Sequence, residues 1–265
     1  MVTRIIDGWL TIDEREDLPE GFAVWRMSEQ PSDQLDIPSL LAPQIAEHLF
    51  STELLEAAVR NLPTSLLQQF IASRMPGSGI LRRGVFGEVL SVRVLEEFHD
   101  YEVPIRKPRF RTASHDSPKA TDVLALKVRD GTIQEVAYVE AKFRSTRAGL
   151  SDLIFEAHDQ LQKDCSESIP AIVGFAAQVL VDQRHTLADA LLNYLRRRSQ
   201  EPLDVHHVML VVESARWRDT DLDKLKAHDS LLEPLHVHIV RIEGLVGRTD
   251  TTYGAVGVVA SLTDD

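Results

Sequence analysis

The sequence predicts an α/β fold: a central mixed sheet flanked by helices, joined to a smaller N-terminal α+β module. Three observations carry this reading. Residues 76–265 alternate element types in the order helix, three strands, helices, strand, strand, the pattern of helices packed on a sheet. Asp130-Gly131 lies between two β-rich runs and marks an antiparallel hairpin. Met75-Pro76-Gly77-Ser78-Gly79 interrupts any regular element and places a boundary between residues 1–75 and 76–265.

In residues 1–75, Ile5 to Leu10 and Gly21 to Trp25 are short apolar stretches separated by the acidic run Asp13 to Glu20, and they predict a hairpin or two edge strands. Ser51 opens a helix with Leu54, Leu55, Ala58 and Val59 at helical spacing, and Leu66, Leu67, Phe70 and Ile71 continue the pattern after Pro63. Beyond the linker, Gly84 to Phe98 predicts a helix with Val85, Val89, Val92 and Leu95 on one face. Strands follow at Val103 to Arg111, Thr121 to Val128 and Val136 to Phe143. Helices are expected at Ser151 to about Lys163, Ser168 to about Leu180 and Leu187 to Arg198, then strands at His206 to Glu213 and Leu235 to Glu243. The tail Thr249 to Asp265 is small, mildly acidic and assigned to no element.

Hydrophobic residues at 43% and charged residues at 26% describe an ordinary folded chain and exclude disordered, collagen-like and coiled-coil classes. No apolar run approaches the ~20 residues that cross a bilayer, so a cytoplasmic location is expected. Cys165 is the single cysteine, which excludes an intrachain disulfide and a cysteine-built zinc site. The formal charge of −12 opposes a phosphate backbone globally, yet Arg106, Lys107, Arg109, Arg111 and Lys119 face one acid, Asp116, within Val103–Lys119. Arg106, Arg109, Arg111 and Lys119 are therefore candidates for phosphate contacts, with a solvated basic loop as the plainer alternative.

Asp122 on the second strand and Glu140-Ala141-Lys142 on the third are the chemical signal. Residues two apart on a strand share a face, and a hairpin partner brings Asp122 beside them. Two carboxylates suit Mg²⁺ or Mn²⁺, which takes hard oxygen ligands, and a lysine beside the ion can position or help deprotonate a water and offset charge on phosphoryl oxygens. The plainer roles are a strand-end cap for Asp122 and a salt bridge for Glu140 and Lys142. His236-x-His238 shares one strand face but has no accompanying carboxylate and reads as a polar face; His206 and His207 point oppositely. Gly77-Ser78-Gly79 lacks a following Gly-Lys-Ser/Thr and is not a nucleotide-binding loop.

The pattern Thr121-Asp122 followed by Glu140-Ala141-Lys142 resembles the PD-(D/E)XK nuclease superfamily, with Thr121 in place of the common proline, and implies a restriction-endonuclease-like core. The resemblance adds Glu88, in Gly84-Val85-Phe86-Gly87-Glu88, as a residue that bridges a second ion or orients water, and Gln160 as a polar residue contacting the site; a helix N-terminal charge and a solvated helix face are their plainer roles. Within the superfamily the chain is similar to the HamA-type domain of Hachiman anti-phage systems over residues 80–165. The shared outline is the Gly-Glu helix ending in Leu95-Glu96-Glu97-Phe98, the basic proline-containing segment Pro104 to Phe110, Asp122, and Glu140 to Phe143. That resemblance implies a metal-dependent DNase restrained by a helicase-type ATPase partner. The competing expectation is an inactive nuclease-fold subunit that binds nucleic acid or assembles a complex, favoured by the acidic charge. A nuclease acting alone would need a sequence reader, and no helix-turn-helix or zinc module is present. Residues 1–75, with Trp9 and Trp25 as exposed anchors, are the expected partner surface, or else a cover for the core.

Overall fold

The computed structural model describes residues 5–19, 21–30, 36–106, 121–145, 149–198, 200–201, 203–213, 218–228 and 230–259. Among them is one six-stranded sheet, ordered β1-β2-β6-β5-β4-β3. Its strands are β1 Leu10–Asp17, β2 Phe22–Glu29, β3 Val123–Arg129, β4 Thr132–Arg144, β5 Asp204–Glu213 and β6 Leu235–Ile242. The pairs β2–β6, β6–β5 and β5–β4 are parallel, while β1 and β3 are antiparallel edges. Four strands therefore end at the same edge of the sheet, and β3 begins there. Such a carboxyl edge is where open α/β sheets build their sites.

The helices are α1 Ile37–Leu49, α2 Thr52–Asn61, α3 Thr64–Arg74, α4 Gly79–Phe98, α5 Leu150–Asp182, α6 Ala188–Arg198, α7 Asp223–Lys226 and α8 Leu245–Val259. Strand alternation divides the core. Ala137 and Val139 of β4, with Met209 and Val211 of β5, face the layer of α1, α4 and α8; Val136 and Tyr138, with Val208 and Leu210, face α5 and α6.

Several elements differ from expectation. The acidic run is not a break between strands but β1 itself, an edge strand whose Glu14 and Glu16 pair with the buried Arg26 of β2. β2 pairs with β6, so the segment before the linker is built into the same sheet as the rest of the chain. Trp9 and Trp25, expected as exposed anchors, are 2% and 5% exposed and belong to the interior. α4 starts at Gly79, a turn before expectation, because the Ser78 side chain accepts from Leu81 N–H at 3.3 Å and caps it. Over residues 103–106 no strand forms; one bridge, Glu102 to Leu126, precedes Pro104, which has no N–H to continue a ladder. Residues 107–111 of that expected strand lie outside the described residues. The two helices expected over 151–180 form α5, bent by 77° between Leu150–Ser166 and Ile169–Asp182, where Pro170 removes a helical hydrogen bond. The unassigned tail contributes α8, which packs on α1. Among the described residues no single helix is long and apolar enough to cross a membrane.

Candidate functional site

β4 outruns β3 at the carboxyl edge. The ladder begins at Val123 opposite Val139, so Asp122, Glu140, Ala141 and Lys142 lie at its open end. Where the β3 backbone stops, Asp122 takes over: its Oδ2 accepts from Ala141 N–H at 2.8 Å. Alternation from Tyr138 sends Glu140 and Lys142 to the α5 face, and Lys142 Nζ donates to Glu140 Oε1 at 2.6 Å. Both plainer roles are thus present, a strand-end cap and an ion pair.

The electrostatics go further than an ion pair. Burial, then the Asp122 charge, push the Glu140 carboxyl up to about 7 against the pull of Lys142, with Asp164 of α5 adding to the push. Burial works against the Lys142 ammonium, but Glu140, Asp122 and Glu156 of α5 outweigh it and hold its pKa above the usual 10.5. The same hairpin contains a control. Lys127 meets Glu135 Oε2 at 3.0 Å, and although burial opposes it, hydrogen bonds from Lys127 and Tyr101 hold Glu135 below its usual value. One Glu–Lys pair on this hairpin releases its proton readily; the other retains it. Deeper burial first, and then the negative charge of Asp122, make the difference at Glu140, and hard oxygen donors with a surplus of negative charge fit Mg²⁺ or Mn²⁺.

The HamA family model matches residues 5–242, well over half of the 265 residues. The chain belongs to the HamA family. That is the type of Hachiman defence component the sequence resembled, and the match now extends across β1, β2 and β6 rather than a third of the chain. No curated protein matches this HamA-family chain.

The other expected residues are placed as follows. Glu88, buried on α4, meets His48 Nε2 of α1 at 3.4 Å. Its neighbour Gly87 passes Ala141, where an added Cβ would sit 4.0 Å from the alanine Cβ, so α4 crosses the motif on the face opposite to Glu140 and Lys142. Arg106 departs from its expected role: its half-buried guanidinium pairs with Glu96 Oε1 at 3.1 Å, while Arg93 contacts Oε2 of the same carboxylate at 3.2 Å. Arg109, Arg111 and Lys119 lie outside the described residues. Gln160 donates to Asp164 Oδ1 at 3.0 Å, and through it adjoins the charge that raises Glu140. Glu156, Gln160 and Asp164 are four apart along α5, a polar stripe visible in the sequence that marks the helix face turned to the site.

His236 and His238 do share a face, but it is interior, not polar surface. With His99 and His207 they form a ring cluster beside Trp25, in which His207 Nδ1 lies 3.0 Å from His238 Nε2. A third histidine group, His158 and His228 around Asp159, is compact enough among the described residues to invite a metal. Its tautomers argue otherwise. Leu232 N–H donates to His158 Nε2 at 3.2 Å and Ser230 N–H to His228 Nδ1 at 3.1 Å. The ring protons therefore sit on His158 Nδ1 and His228 Nε2, the atoms that face Asp159, whereas a ligand imidazole turns its bare nitrogen to the ion and its N–H outward.

Proposed function

We propose that this chain is a PD-(D/E)XK-type, Mg²⁺- or Mn²⁺-dependent DNA endonuclease, the effector of a Hachiman defence complex restrained by a helicase-type ATPase. The observation that carries the reading is the convergence of Asp122, Glu140 and Lys142 at the carboxyl edge of the sheet, where burial and the Asp122 charge push the Glu140 carboxyl up to about 7. Asp122 and Glu140 would hold the ion; Glu88 is engaged with His48 on the other face of the sheet. When bound, the ion supplies polarisation of a phosphoryl oxygen and a lower pKa for the attacking water. Lys142, whose ammonium is held above its usual pKa by Glu140 and Asp122, would orient water through Nζ–H and offset charge on the phosphoryl oxygens. In hydrolysis, water oxygen bonds to phosphorus, the bond to one ester oxygen breaks, and that oxygen takes up a proton.

Restraint by a partner follows from the absence of a sequence reader and from the charge of −12, which suits DNA delivered by another subunit. The test is plasmid cleavage with Mg²⁺ or Mn²⁺ by the chain alone and with its co-expressed ATPase, against Asp122→Asn and Lys142→Ala. Metal-dependent cutting lost by at least ~10²-fold in both variants is expected. Cutting that survives both variants, or none under any condition, sinks the nuclease and favours an assembly subunit.

A further inference from the structure

We propose that Arg83 is the phosphate-positioning residue of this site, holding a backbone phosphate of the bound DNA strand at the carboxyl edge of β4; this rests on the nuclease reading. α4 runs antiparallel to β4. Gly87 lies against Ala141, and one turn earlier Arg83 lies against Phe143, with Cζ 6.0 Å from the ring centroid. Phe143 directly follows Lys142, and Phe86 braces its ring edge-on at 6.4 Å between centroids. The guanidinium thus rests on a supported aromatic shelf at the strand end that bears the carboxylates, on the side opposite to α5.

Its neighbours have other engagements. Arg82 donates to Pro76 O at 3.2 Å and lies over Tyr253; Arg144 donates to Gly149 O at 2.8 Å; Arg106 pairs with Glu96. Arg83 has no carboxylate partner among the described residues and is half-buried, so its position is set by the shelf and its N–H fork is open to an anion. In an acidic protein, an arginine left open at the strand end that bears the carboxylates, on the opposite face of the sheet from Glu140, needs a reason. A phosphodiester approaching Asp122 and Glu140 supplies it, because the anion requires a counter-charge that these carboxylates do not give and a planar fork suits phosphate oxygens.

Binding is measured in an Asp122→Asn background, so that cleavage plays no part, with short random-sequence duplex and single-stranded DNA over a salt series. Arg83→Ala should weaken binding roughly 5–10-fold regardless of sequence and reduce the log–log salt slope by about 0.9 on duplex, or about 0.7 on single strands. Arg83→Lys should recover the slope and part of the affinity, which a packing defect would not. Arg129→Ala, at the far end of the hairpin, is the control for net charge. An Arg83→Ala slope equal to that of Arg129→Ala overturns the proposal, as does an Asp122→Asn chain that binds neither DNA. In the active chain, Arg83→Ala should raise KM and leave kcat within about threefold. If the salt slope depends on Arg83 but the unsubstituted chain never cuts, the phosphate contact stands and the nuclease reading falls. If cutting is normal and the slope does not move, the inference about Arg83 falls alone.

Discussion

Replacing Glu140 with glutamine should stabilise the fold in alkaline, metal-free solution while abolishing cleavage. The carboxyl is 5% exposed, and its pKa moves from the usual 4.5 to about 7. A folded-state pKa above the unfolded one means that the group favours the folded state while protonated, and that this contribution is lost as pH rises through about 7. At ~1.4 kcal/mol for each factor of ten in the proton equilibrium, that rise corresponds to at most about 3–4 kcal/mol. Glutamine is nearly isosteric, carries no charge and still offers Oε1 to Lys142, so most of that penalty should disappear. A gain of about 1–3 kcal/mol near pH 8.5, or roughly 2–8 °C in Tm for a chain of this size, is expected to shrink to about a quarter of that near pH 5 and to vanish below about pH 4. Thermal and urea unfolding with chelator at both pH values measure it. Added Mg²⁺ should then raise the Tm of the unsubstituted chain and not of Glu140→Gln, because only a site that binds the ion is stabilised by mass action. A variant equally or less stable than its parent at both pH values would refute the claim that Glu140 carries a strained charge.

Two further perturbations probe the frame around the site. Burial, then neighbouring positive charge, holds His99 and His236 down from 6.5 to about 4, so their contribution is present above pH 6.5 and lost as pH falls through about 4. His236→Gln should remove up to about 3 kcal/mol of the acid-side loss, read as a flatter stability profile between about pH 6.5 and 4 in urea unfolding; an unchanged slope refutes it. Glu97 Oε2 accepts from the backbone N–H groups of Ile5, Ile6 and Asp7 at 2.8, 2.9 and 3.2 Å, fastening the segment before β1 to α4. Glu97→Ala should cost about 2–3 kcal/mol and speed amide exchange at those three residues, whereas retained protection there would show that the carboxylate is not what holds them.

The parts of the fold that could be read from the sequence are those whose signal is local. Asp130-Gly131 specifies a tight turn, and β3–β4 forms around it with the hairpin pairing expected. β5 and β6 are mostly buried, so apolar, β-branched residues dominate them and make them recognisable. What was misread depends on distant partners. The acids of β1 look like a loop until Arg26 is placed beneath Glu14 and Glu16, and Asp13 is found beside Arg241, far along the chain. α8 contains Gly247, Gly254 and three threonines, weak helix formers, and Thr249 and Thr252 turn their hydroxyls back onto carbonyls four residues earlier. Its packing on α1, which no local rule reveals, accompanies that weak propensity.

At the site the division is the same, with a sharper consequence. Asp122, Glu140 and Lys142 fall within one hairpin, so alternation and register suffice to bring them together. Those rules apply equally to Lys127 and Glu135, and by residue type the two pairs are indistinguishable. What separates them is first burial, deep at Glu140 and slight at Glu135, and then the company each keeps. Tyr101 donates its hydroxyl to Glu135 and lowers its pKa, whereas Asp122 and the α5 residue Asp164 press negative charge on Glu140 and raise it. Only the second pair is both buried and outweighed by a further carboxylate, which is why its carboxyl favours the protonated form. Arg106, the described member of the basic segment, differs from expectation for the complementary reason. Arg106 carries the charge that phosphate binding calls for, but Glu96, ten residues earlier on α4, already answers it, while Arg83 was hidden inside a helix among residues chosen for packing. A cation's sequence neighbourhood reports its charge; whether that charge is available to a ligand is decided by which acids the fold brings to it.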